Sequence, residues 1–157
     1  MSAPFARARP PTSNTWQSSA RPVARWSGCS RKVFAFDASK LRAPEISFWT
    51  IWDDETLLGC AALKELSRHQ GEIKSMRTPA SMRGRGAGRA LLAHILDVAK
   101  GRKYEELFLE TGSHPDFDAA QNLYRSVGFQ PCRPFGQYRE NANSVFMSMR
   151  LAPMPAP

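Results

Sequence analysis

Arg83-Gly84-Arg85-Gly86-Ala87-Gly88 decides the reading of this chain. Three glycines alternate with Arg85 and Ala87 where strand-like text ending at Thr78 gives way to helical periodicity. Glycine has no Cβ, so such a loop can come close to a ligand and adopt positive φ. Consecutive N–H groups then face one concavity, and the dipole of the following helix adds partial positive charge. A phosphate or pyrophosphate suits that environment. The spacing excludes two common phosphate loops. No Lys-Ser or Lys-Thr follows the glycines, as a P-loop requires. Counting from Gly84 and Gly86, the third position of a dinucleotide fingerprint is Arg89 rather than glycine. Glu110 does end the next strand at the distance that fingerprint would favour, but five residues separate Thr78 from Gly84.

Working outward, Leu91, Leu92, Ile95, Leu96 and Ala99 recur at helical spacing and predict an amphipathic helix over 86–100, with Gly101 as its stop. On the N-terminal side, Ile46–Trp52 and Thr56–Lys64 are rich in aromatic and β-branched residues. With Asp53-Asp54-Glu55 between them, they predict a β-hairpin. Gly71–Thr78 reads as a third strand, with Ile73, Ser75 and Arg77 on one face and Glu72, Lys74 and Met76 on the other. On the C-terminal side, Tyr104–Thr111 reads as a strand and Pro115 opens a second helix with apolar face Phe117, Ala120, Leu123, Tyr124 and Val127. Gly128 closes that helix, and Ser144–Leu151 alternates as a final strand. Val33–Phe36 reads as a short strand and Asp37–Leu41 as a turn. One βαβ unit inside a largely antiparallel sheet is an α+β architecture.

The chain of 157 residues is the length of one domain. Its net charge of +8 resembles a nucleic-acid signal until it is located. Arg7, Arg9, Arg21, Arg25, Arg31, Lys32, Lys40 and Arg42 face a single acid, Asp37, in residues 1–42, which leaves 14 basic and 13 acidic residues in 43–157. A nearly neutral body argues against a specific nucleic-acid surface. Residues 1–32 are acid-free and rich in Pro, Ser and Arg, and read as an irregular basic leader. Residues 33–151 read as the domain and 152–157 as a flexible tail. Cys29, Cys60 and Cys132 form no Cys-x-x-Cys pair, and His69, His94 and His114 are scattered, so no metal is expected. No apolar run reaches the ~18 residues of a membrane span, and a cytoplasmic protein is expected. Trp49 or Trp52, if exposed on the hairpin, would offer a homodimer interface.

A resemblance sharpens the ligand. Arg83–Gly88 resembles the Gln/Arg-x-x-Gly-x-Gly/Ala motif of the GNAT superfamily of N-acetyltransferases, and Leu123-Tyr124-Arg125-Ser126-Val127-Gly128-Phe129 is similar to that family's Leu-Tyr-x-x-x-Gly-Phe. Helix, strand and helix separate the two motifs, as in the family. The likeness covers residues 33–151 and, with Lys74–Arg77 and Glu110–Ser113, resembles a bacterial branch of small acetyltransferases.

The resemblance implies a mostly antiparallel sheet with helices on both faces and a splayed parallel strand pair that binds acetyl-CoA, used as a co-substrate. It implies that Met76, Arg77 and Thr78 pair with the pantetheine arm through the backbone, one N–H polarising the thioester carbonyl. Arg83, Gly84, Arg85, Gly86, Ala87, Gly88 and Arg89 would hold the pyrophosphate. Tyr124 fits the family's general acid, although its helical position also suits a core aromatic with its hydroxyl satisfied elsewhere. Glu72, eleven residues before Arg83, fits a general base; a solvated charge beside Lys74 is the plainer alternative, and Glu110, His69 and His114 are the reserves. Phe117 stands where many relatives carry Asn. The implied reaction is acetyl transfer to a primary amine of a small molecule or protein. The alternative is a non-catalytic acyl-CoA-binding protein with a degraded acceptor site.

Overall fold

The computed structural model describes residues 15–18, 43–53 and 56–153. Its strands are β1 (Thr15–Ser18), β2 (Ile46–Asp53), β3 (Thr56–Ser67), β4 (Gln70–Arg77), β5 (Glu106–Gly112), β6 (Gln130–Pro131) and β7 (Ser144–Arg150), and its helices are α1 (Ala87–Gly101) and α2 (Asp118–Ser126). The strands form one seven-stranded sheet in the order β1-β2-β3-β4-β5-β7-β6. Every pairing is antiparallel except β4 with β5, the two strands joined through α1. The mixed α+β architecture and the hairpin β2–β3 are as expected.

Alternation sorts the sheet into two faces. Trp49, Ile51, Leu63, Ile73, Leu107, Leu109 and Met147 point to one side, where Leu91, Leu92, Ile95 and Ala99 of α1 and Tyr124 of α2 close over them in a single apolar core. Both described helices thus belong to one face. On the other lie a small cluster of Phe48, Cys60 and Ala62 and an aromatic group of Phe108, Phe135, Tyr138 and Phe146. Ile95 has no exposed surface. Ile95→Val should therefore cost about 0.5–1.5 kcal/mol, read as a lower urea midpoint with an unchanged m-value.

Three local readings are corrected. The even alternation expected along β4 breaks at Ser75, whose φ is 51°. Opposite β3, Ala62 pairs with Lys74 but Cys60 pairs with Arg77, so three steps of β4 span two of β3. This bulge turns Met76 to the Ile73 side, where it packs on the core. The helix α1 runs through Gly101, and the left-handed turn that ends it falls on Lys103 with φ 62°. There the Tyr104 N–H donates to the Ala99 carbonyl at 3.0 Å, satisfying a terminal acceptor without glycine. Trp49 is buried, its ring edge-on to His94 at 5.2 Å, so it offers no exposed interface. Trp52 is half-buried, with its indole N–H donating to Thr50 Oγ1 at 2.8 Å.

Within residues 1–32, read as irregular, Thr15–Ser18 is a strand paired with β2 from Thr15↔Trp52 to Ser18↔Trp49. Its order comes from main-chain pairing to a neighbour rather than from any pattern of its own. The expected strand at 33–36, the turn at 37–41, residues 54 and 55 of the hairpin turn and the end of the tail lie outside the described residues. So do residues 1–14 and the rest of 19–42.

Candidate active site

The parallel pair β4–β5 is short. It runs from Gln70↔Glu106 to Ile73↔Leu109 and then stops. β5 continues against β7 through Gly112, while β4 continues against β3 to Arg77. The bulge at Ser75 falls just beyond the last shared pair and steers β4 away from its neighbour. On its β5 side, Lys74–Arg77 therefore faces an open cleft of about 540 Å³, lined among others by Glu72, Met76, Arg77, Thr111, Tyr124 and Tyr138. The splayed parallel pair expected from the family resemblance is present.

Tyr124 reaches the cleft from α2. The helix is fixed to the end of β5 by Gln121, whose Nε2 donates to the Gly112 carbonyl at 2.8 Å and whose Oε1 accepts from Arg125 at 2.9 Å. At its far end Gly128 takes φ 114°, and the Phe129 N–H turns back to the Tyr124 carbonyl at 3.1 Å. A side chain at Gly128 would strain that reversal. Phe129 then packs edge-on to Tyr124 with centroids 5.9 Å apart, which explains the spacing of Leu-Tyr-x-x-x-Gly-Phe. Tyr124 is 6% exposed, and among the described residues its hydroxyl has no hydrogen-bond partner. Burial pushes the phenol up to about 12, opposed by the charge of Arg77. The Tyr124 ring belongs to the core, and the residue also lines the cleft.

Glu72 approaches from the opposite face. It is 3% exposed, so it is not a solvated surface charge. The Tyr138 hydroxyl donates to Glu72 Oε1 at 2.6 Å, and Lys74 Nζ donates to the same oxygen at 2.8 Å. Lys74 also donates to the Tyr138 oxygen at 2.7 Å, closing a triangle. Burial, followed by the hydrogen bond and charge of Glu72, pushes the Tyr138 phenol well above its ordinary range. Tyr138 went unread in the sequence because nothing short-range links it to a residue 66 positions earlier. Of the reserves, Glu110 is exposed at the cleft and accepts from the Ser144 hydroxyl. His69 and His114 sit elsewhere on the surface, paired with Glu105 and Asp116.

The glycine loop forms the third part. After a 3₁₀ turn at Ala80–Met82, Gly84 and Gly86 both enter the left-handed region, with φ 78° and 81°. A Cβ built on either meets nothing within 4 Å, so the space beside this backbone is open. Gly86 caps α1 without a side-chain hydrogen bond, and no acid occupies the first turn. The N–H groups of Ala87, Gly88 and Arg89 are thus left to an external acceptor. Arg83, Arg85 and Arg89 are exposed around them. This donor set fits a pyrophosphate. Thr78 is set back: its Oγ1 lies 3.3 Å and 3.9 Å from the Cβ positions of Gly59 and Gly88, between β3 and α1. Phe117 is 37% exposed and lies against Gly112, lining the cleft where an Asn is usual. No group of three metal-ligating side chains occurs among the described residues, and none of their helices is long and apolar enough to cross a membrane.

The model of the acetyltransferase (GNAT) family matches residues 9–129. The chain belongs to the GNAT acetyltransferase family. It is 51% identical over 119 residues to the uncharacterized N-acetyltransferase YsnE of Bacillus subtilis (strain 168), covering 76% of this chain and 79% of that one. It is 44% identical over 117 residues to the uncharacterized N-acetyltransferase YedL of Escherichia coli (strain K12), covering 74% of each. Among solved structures, a GNAT family acetyltransferase from Elizabethkingia anophelis with acetyl-CoA bound superposes with a TM-score of 0.65 at 18% identity, over 88% of this chain and 98% of that one. That likeness is one of fold. The family match spans residues 9–129, where the likeness read from the motifs spans 33–151.

Proposed function

We propose that this protein transfers the acetyl group of acetyl-CoA to a primary amine of a small molecule or protein, by direct attack of the amine on the thioester. The observation that carries the reading is the cleft opened where β4 and β5 part, which has Tyr124 at one wall and Glu72 at the other. Acetyl-CoA supplies an activated acyl group. Arg83–Arg89 would hold its pyrophosphate on free amides and arginines, and the unpaired β4 edge at Met76–Thr78 would hold the pantetheine arm.

The chemistry then falls to two side chains. Glu72, directly or through water, takes the proton that the amine must lose to expose its lone pair. The amine forms the C–N bond, the C–S bond breaks, and Tyr124 gives its proton to the departing sulfur. An N–H of the β4 edge steadies the carbonyl oxygen as charge gathers there. The neutral charge balance of residues 43–157 favours a discrete amine over nucleic acid as acceptor.

Titration of acetyl-CoA into the purified protein, followed by an amine and polyamine panel with detection of released CoA, tests the proposal. Saturable binding and CoA release that requires an amine are expected. Absence of binding would overturn it. Binding without release across the panel would favour a non-catalytic acyl-CoA-binding protein.

A further inference from the structure

We propose that Tyr138 is the positioning residue of the acceptor side: its hydroxyl, together with Lys74, fixes the Glu72 carboxylate at the wall of the cleft. The inference rests on the proposed acetyl transfer for its purpose, but its geometry stands independently.

A buried carboxylate needs hydrogen-bond donors, because leaving it without them costs far more than one ordinary hydrogen bond contributes. Glu72 receives two, and both go to Oε1. Two donors on one oxygen define the plane of the carboxylate and leave the lone pairs of Oε2 to whatever enters the cleft. Lys74 balances the charge, but its flexible stem cannot orient a partner alone. Tyr138 can, because its ring is fixed in turn. It packs against Phe135 at 5.0 Å and Phe146 at 5.6 Å, with Lys74 Nζ 5.3 Å from its centroid.

The loop that carries Tyr138 is anchored along its length. The Cys132 N–H donates to the Phe146 carbonyl at 2.9 Å, and the Tyr138 N–H to the Phe135 carbonyl at 3.0 Å. The Ser113 hydroxyl donates to the Ala142 carbonyl at 2.6 Å, and the Ser113 N–H to the Asn143 carbonyl at 3.1 Å. A loop tied to the end of β5 and to β7 thus delivers one hydroxyl to the middle of β4. Such a connection transmits loop position directly to the candidate base.

Tyr138→Phe tests this, because it keeps the aromatic packing and removes only the hydroxyl. The first readout is the side-chain carboxyl resonance of Glu72 by carbon NMR in the ligand-free protein at neutral pH. Loss of the Tyr138 hydroxyl, one of its donors, should displace that resonance while the Tyr138 neighbours keep theirs. Arg77 and Glu110, the other charged groups of the cleft, are the same in both proteins. The second readout is amine-dependent CoA release. kcat/KM for the amine should fall about tenfold, the worth of one hydrogen bond to a charged group, with acetyl-CoA affinity unchanged. An unmoved Glu72 resonance together with an unchanged kcat/KM would overturn the proposal. If Tyr138→Phe does not fold, Glu72→Gln gives the reciprocal measurement: the Tyr138 phenol should ionise at lower pH once the carboxylate charge is gone, and an unmoved phenol would overturn the proposal equally. If wild-type protein releases no CoA with any amine, the acetyl-transfer reading fails, while the Glu72 carboxyl resonance still decides the role of Tyr138.

Discussion

Gly86→Asp is expected to weaken acetyl-CoA binding by at least about 100-fold while leaving a folded protein. The two effects separate because of where the residue sits. Gly86 caps α1 at φ 81° and has open space around its missing Cβ, so a side chain meets no neighbour. Aspartate is one of the few residues that tolerates the left-handed region, at a cost of about 1–2 kcal/mol. It is also a favoured cap residue, and its carboxylate would accept from the free N–H of Gly88 or Arg89. Part of the strain is thereby offset. The same contact removes the donors that a pyrophosphate would use and places a negative charge where another must lie. At about 4 Å and an effective dielectric near 20, like charges repel by about 4 kcal/mol, more than the ~2.7 kcal/mol that a 100-fold loss requires. Calorimetric titration beside a thermal melt checks both halves. Wild-type affinity in a folded Gly86→Asp protein would remove the loop from the binding site.

Tyr124→Phe should lower kcat by about 10²–10⁴-fold, the range over which a positioned acid contributes, with acetyl-CoA affinity held near wild type. Stability supplies an internal control. Among the described residues the Tyr124 hydroxyl has no partner, and its ring is core. Deleting it breaks no hydrogen bond among the described residues and keeps the ring in the core, so stability should stay near wild type. Lost turnover with an undiminished melting temperature would assign the hydroxyl to chemistry; unchanged turnover would assign Tyr124 to packing alone. The phenol is pushed up to about 12, so it keeps its proton throughout the neutral range. Any fall in rate between pH 7 and about 11 must then come from another group, and Tyr124→Phe should leave that alkaline limb in place.

How far the sequence discloses this molecule depends on the range of the interaction concerned. The helix α1 is legible because Leu91, Leu92, Ile95 and Ala99 repeat every turn against one wall of sheet, a purely local signal. The glycine loop is legible because positive φ at Gly84 and Gly86 needs a specific residue type. The Ser75 bulge is not. Ile73-Lys74-Ser75-Met76-Arg77 alternates evenly on paper, and the left-handed serine is imposed by pairing with Cys60 and Ala62 on β3. β1 escapes notice for a similar reason, since Thr15–Ser18 is ordered by β2 rather than by its own composition. The candidate site divides in the same way. Tyr124 and Glu72 were found by register with motifs, whereas Tyr138 reaches Glu72 only through the folded loop. Its local text, Pro134-Phe135-Gly136-Gln137-Tyr138, signals a turn and nothing about a carboxylate.

The short seam between β4 and β5 has a mechanical consequence. Four residue pairs, Gln70↔Glu106 through Ile73↔Leu109, and the His69 carbonyl, which accepts from the Glu105 and Glu106 N–H groups, join β1–β4 to β5–β7. Glu72 is one of the four. Beyond Ile73↔Leu109 no β pairing joins the two strands, and the cleft begins there. In the proposed reaction the splay of the two strands, set by the one core packed beneath both, fixes how far the β4 edge stands from Tyr124.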